Sequence, residues 1–85
     1  MTTPTEQLIK PVNRIVDARG SFCPGPLMEL IRAIRESEVG TVIAVRSSDR
    51  GSRIDIPKWV EKAGHRLLGV SPAEGFDEII VEKIH

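Results

Sequence analysis

The chain has one cysteine, Cys23, in 85 residues. That excludes an internal disulfide framework and any zinc site built from clustered thiolates. Tyrosine is absent, and the aromatic residues amount to two phenylalanines and one tryptophan, which is sparse for the stacking platforms that bind single-stranded nucleic acid. Charge of either sign is not in excess, because Lys+Arg and Asp+Glu balance at 12 each. No net field therefore gathers nucleic acid or an anionic membrane. The longest apolar runs are a few residues, far short of the roughly 20 that a membrane helix needs. The segment from Met1 to Pro11 lacks both the basic and the apolar stretch of a signal peptide. With a lone thiol that suits a reducing compartment, these absences set the expectation of a cytoplasmic protein with no membrane partner.

What is present suits one small domain. A chain of this length buries only about 60–65 % of its unfolded surface, so any chemistry is expected at the surface rather than in a deep cavity. Residues 1–11, with their Thr, Pro and Gln, read as a flexible tail ahead of a domain spanning 12–85. No internal repeat interrupts that domain.

Val12 to Ala18 reads as a short first strand, broken by Arg19, Gly20 and Ser21. From Pro24 to about Ser37 the period changes to that of a helix. Leu27, Leu30, Ile31 and Ile34 fall at i, i+3, i+4 and i+7, while Glu29, Arg32, Arg35 and Glu36 lie mostly off the stripe. Those four charges form a solvated face, with a role in partner choice as the alternative. Thr41 to Arg46 is a near-continuous apolar run that suits a central strand. After a polar loop, Ile56, Trp59, Val60 and Ala63 form a second stripe that Gly64 ends. The start of this second helix is ambiguous. Ser52 and Asp55 have capping-box spacing, whereas Pro57 fits a first turn better and favours a start at Asp55. His65 to Val70 and Phe76 to Ile84 are strand candidates joined by the loop from Ser71 to Gly75. The sum is β-α-β-α-β-β, a two-layer α/β sandwich in which a mixed four-stranded sheet carries both helices on one face.

The cysteine lies in Ser-Phe-Cys-Pro-Gly-Pro-Leu, from Ser21 to Leu27. A helix starting at Pro24 puts Cys23 at the N-cap, where proline at the next position is favoured because its missing N–H has no intrahelical partner to lose. Pro24, Gly25 and Pro26 then stiffen the helix mouth and shape the site. The helix end favours a thiolate over a thiol. Arg19 is a candidate for further thiolate support, with Asp17 opposing it. Two prolines remove local donors, which leaves the Gly25 amide to reach the sulfur. Cys23 is thus a candidate nucleophile, against the commoner fate of a free cysteine as a small buried hydrophobe. Phe22 and Met28 flank it as candidate docking residues, while Leu27 is expected to face the core. His65 and His85, the only histidines, have no metal-ligand spacing, and Trp59 is read as core. No metal site and no bound organic cofactor are expected.

Asp-Ala-Arg-Gly-Ser-Phe-Cys-Pro-Gly-Pro-Leu-Met from Asp17 to Met28, followed by Asp-Arg-Gly-Ser-Arg-Ile-Asp-Ile-Pro from Asp49 to Pro57, resembles the two signature segments of the TusA/SirA-like sulfur carriers. The likeness runs from about Asn13 to Lys83. It implies a two-layer α/β sandwich and a persulfide on the motif cysteine, here Cys23, as the sole covalent group. It further implies protein partners: a donor of the cysteine desulfurase, rhodanese-like or DsrE-like kind, and an acceptor thiol. The pathways it suggests are tRNA thiolation, molybdenum-cofactor maturation and sulfur oxidation, carried out by a monomer or weak dimer. Such a sulfurtransferase-type carrier turns over only with its partners, so whether it counts as an enzyme is a matter of definition. The sequence departs from the family at Ile54, where an arginine is frequent; Arg53 lies one place earlier. Two other readings stand beside this one, an RNA-binding or regulatory module on the same fold and a single-cysteine redox sensor.

Overall fold

A computed structural model describes residues 12–22 and 24–85. The expected tail, residues 1–11, and Cys23 lie outside the described residues. The elements are β1 (Arg14–Asp17), α1 (Gly25–Glu36), β2 (Val42–Ser47), α2 (Ser52–Ala63), β3 (Arg66–Ala73) and β4 (Phe76–Glu82). They form one sheet in the order β1-β2-β4-β3. β1 and β2 are parallel, and the other two pairings are antiparallel. The mixed two-layer architecture is the one expected.

Side-chain alternation explains why both helices lie on the same face. The register aligns Val16 with Val45, Val45 with Ile79 and Ile43 with Val81, so one parity of each strand points the same way. These five residues join Leu30, Ala33 and Ile34 of α1 and Ile56 and Val60 of α2 in a single buried cluster. The opposite parity carries Ile15, Asp17, Arg46 and Glu78, and Ile15 is half-exposed. The buried stripe of α1 is centred on Pro26, Leu30, Ala33 and Ile34, with Leu27 only partly buried against the core. Lys83 closes the far end of α1. Its ammonium donates to the Ile34 and Ser37 carbonyls at 2.7 and 2.6 Å, placing a cation where the helix dipole is negative.

The structure decides the start of α2, which the sequence leaves open between Ser52 and Asp55. α2 starts at Ser52, with Gly51 as cap and no side-chain cap bond, so the capping box does not form. The Ser52 hydroxyl instead donates to the Asp49 carboxylate at 3.4 Å. Pro57 therefore lies inside the helix, where it removes the donor for the Arg53 carbonyl. Burial outweighs that loss, because Ser52, Ile56 and Val60 are all enclosed on one side of α2. At its other end Gly64 adopts φ +82°, and the His65 amide reaches back to the Val60 carbonyl at 3.0 Å, a glycine-terminated helix end. The hairpin departs from expectation. β3 continues through Ser71, Pro72 and Ala73, leaving only Glu74 and Gly75 as the turn. Proline is tolerated there because β3 is an edge strand.

Candidate functional site

Both parallel strands deliver their loops to one end of the sheet, where both helices begin and the β3–β4 turn closes. That end, at the carboxyl termini of parallel strands, is the usual place for function in α/β sheets. The first loop is built residue by residue. Asp17 accepts from the Arg19 amide at 3.2 Å and from its guanidinium at 2.8 and 2.7 Å. Ala18 is buried, and its carbonyl accepts from the Ser21 amide at 3.2 Å. Gly20 lies between them at φ +88°, a backbone state that side chains disfavour. Its amide donates to the Ser48 hydroxyl at 2.9 Å, which ties the loop after β1 to the loop after β2.

Helix α1 follows within four residues. Its first residue is Gly25, with Pro24 in the cap position at φ −88° and ψ 12°; the Pro24 carbonyl accepts from the Met28 amide at 2.9 Å. The cap is thus Pro24 rather than Cys23, one residue later than expected. The Gly25 amide donates to the Phe22 carbonyl at 2.7 Å. That turn explains the glycine. A Cβ on residue 25 would approach the Ser21 Cβ at 3.2 Å, and any side chain there would also strain the α geometry that Pro26 disfavours in its predecessor. Pro24 is exposed, whereas Pro26 is fully buried. The second proline therefore anchors the helix mouth in the core as well as stiffening it.

The electrostatics are mostly paired. The Arg19 hydrogen bonds hold the Asp17 carboxyl down to about 2, and the same contact raises the Arg19 guanidinium. A charge neutralised in this way adds little field of its own, so the dipole of α1 is left as the main source of positive potential at its mouth. Arg19 also lies over the Phe76 ring at 5.1 Å, with Arg46 at 5.9 Å from the same ring. Arg46 pairs with Glu78 at 3.1 Å and Arg53 with Asp77 at 3.4 Å. The hairpin thus braces the cysteine loop through Phe76, and the Ser48 loop braces it from the other side. Neither residue was singled out from sequence, since both act across long stretches of chain without a local signature.

Three apolar side chains stand out on this side of the molecule: Phe22 is 79 % exposed, Met28 59 % and Ile54 60 %. Ile54 occupies the place where the resemblance leads one to look for arginine, and the neighbouring Arg53 is turned to Asp77. Trp59 packs against the core, as expected. His65 and His85, twenty residues apart, stack with ring centroids 4.6 Å apart.

Residues 14–83 match the family model described as sulfurtransferase TusA. The chain belongs to the TusA family. A putative sulfur carrier protein from Archaeoglobus fulgidus is 54 % identical over 70 residues, covering 82 % of this chain and 96 % of that one. The sulfur carrier protein TusA of Pseudomonas savastanoi pv. phaseolicola is 36 % identical over 75 residues, covering 88 % and 87 % of the two chains. Among solved structures, a SirA-like protein from Desulfitobacterium hafniense superposes with a TM-score of 0.73 at 26 % identity, across 85 % of this chain and 99 % of that one. The TusA-family match spans the two loops and both helices described above. No helix among the described residues is long and apolar enough to cross a membrane.

Proposed function

We propose that this protein is a sulfur carrier in which Cys23 holds the travelling sulfur as a persulfide. The observation that supports this most is the place of the only cysteine: in a TusA-family chain it directly precedes the proline-capped mouth of α1. The helix end lowers the energy of a thiolate there. Loading begins when that thiolate attacks the outer sulfur of a donor persulfide. The donor S–S bond breaks, the donor sulfur leaves as a thiolate, and Cys23 becomes Cys–S–SH. Discharge repeats the exchange with an acceptor thiolate as nucleophile and Cys23 as leaving group. No net oxidation occurs in either step, so neither requires a cofactor beyond the persulfide itself.

Arg19 acts through position rather than charge, by fixing the loop with Asp17 and Phe76. Phe22 and Met28 supply an apolar rim against which donor and acceptor proteins dock. Donors of the cysteine desulfurase, rhodanese-like or DsrE-like classes suit this chemistry, in the cytoplasm where thiols stay reduced. Incubation with a persulfidated donor or polysulfide should add the mass of one sulfur atom to the intact protein and none to Cys23→Ala. Equal labelling of both proteins, or of neither, would refute the assignment.

A further inference from the structure

At the pole opposite the helix mouths, Ile84 and His85 lie across the junction of α2 and β3. The Ile84 amide donates to His65 Nδ1 at 3.1 Å. That nitrogen therefore carries no proton, and the proton of the neutral ring is on Nε2. His85 Nε2 lies 2.7 Å from the Ala63 carbonyl; a carbonyl only accepts, so the imidazole donates. The two rings stack at 4.6 Å and 15°, and Trp59 lies 5.9 Å from His65. Gly64 leaves room for this stack, since a Cβ there would approach His85 Nε2 at 3.1 Å.

We propose that His65 is a proton-operated latch, which holds Ile84 and His85 against the α2–β3 corner when neutral and releases them when protonated. Protonation puts a hydrogen on Nδ1, which then cannot accept from the Ile84 amide. It also sets a cation against the face of a second imidazole. Lys58 and Glu61 from α2 and Arg66 from β3 line the same groove as His65, Glu82 of β4 pairs with Arg66 at 3.9 Å, and Lys83 and His85 act on the ring from the chain after β4. Of these only the carboxylates Glu61 and Glu82 carry the charge that favours an imidazolium, and Glu82 is turned to Arg66. The balance goes the other way: burial first, then His85 and Lys83, lower the His65 pKa from its ordinary 6.5. A base whose folded pKa is lowered stabilises the closed state above the unfolded value, and that contribution is lost as pH falls below 6.5 towards the folded value. Ile84 forms one wall of a groove of about 570 Å³ whose other apolar lining includes Pro57, Val60 and Leu67. Release of the latch opens that groove on one side.

The test is a pH titration of the full chain by ¹⁵N NMR between about pH 8 and pH 5, the range in which histidine changes charge. His65 should show the Nε2–H tautomer at the upper end and titrate below 6.5. The protection factor of the Ile84 amide should fall by about tenfold per pH unit between 6.5 and the His65 midpoint, as one proton requires, and level off below it. The Ile43 amide, in the central strand, should keep its protection throughout. His65→Phe retains a ring but no acceptor, and should leave the Ile84 amide unprotected at every pH. Protection of Ile84 that does not change with pH in the native chain would overturn the latch, as would pH-dependent protection surviving in His65→Phe.

Discussion

Cys23→Ser is expected to abolish sulfur transfer, by at least about a thousandfold in a reconstituted donor–acceptor assay. The size follows from chemistry. A serine hydroxyl is scarcely ionised at neutral pH and forms no persulfide, and the chain holds no second thiol to take over. Oxygen for sulfur is otherwise a small change in volume, so the variant should unfold at nearly the same temperature as the native chain. A variant that folds normally yet passes sulfur at a tenth of the native rate would show that the sulfur travels by another route. Met28→Ala separates docking from chemistry on the same helix. It removes an exposed side chain and should weaken transfer while still accepting sulfur from a small-molecule polysulfide.

The largest structural effect is expected at Leu30, where substitution by alanine should cost about 3 kcal/mol, within the 2–5 kcal/mol usual for emptying a buried leucine site. Leu30 has no exposed surface and joins the helix to Ile43, Val45 and their neighbours in one cluster. For 85 residues the whole stability is about 4–13 kcal/mol, so this one cavity removes a large share of it. Thermal unfolding should move down by roughly 12–24 °C, given a shift of about 4–8 °C per kcal/mol in a domain of this size. Denaturant midpoints should fall in proportion with an unchanged slope. A loss under about 1 kcal/mol, typical of surface positions, would mean that α1 is not seated on the sheet through this residue. Because α1 sets the direction of its own mouth, Leu30→Ala should also slow sulfur loading at temperatures where it remains folded.

Much of this fold was legible because burial leaves a period in the sequence. Leu30 and Ile34 repeat at helical spacing, and the central strand is a short apolar run that ends up covered on one face by both helices. Gly64 signalled a helix end that the left-handed backbone there requires. The start of α2 was not legible, because two local rules opposed each other. Pro57 argued for a late start, and only the burial of Ser52 and Ile56, a tertiary fact, decides for the earlier one. Local spacing likewise placed Cys23 at the cap, whereas the Phe22–Gly25 turn uses the first amide and moves the cap to Pro24. At the site, the sequence displayed the cysteine, both prolines and the exposed Phe22 and Met28. It could not display Ser48 holding Gly20, Phe76 under Arg19, or His65 against His85. Those contacts join residues 20 or more positions apart, and no periodicity encodes them.

The account depends on a sulfur that is reachable in the folded state and partly ionised by the helix before which it stands. Alkylation of the native protein at neutral pH tests this most directly, with the rate at Cys23 followed by mass spectrometry against free cysteine. The account predicts single modification of the folded chain, faster than that of free cysteine, with no loss of secondary structure. Modification that proceeds only after denaturant unfolds the protein would contradict it.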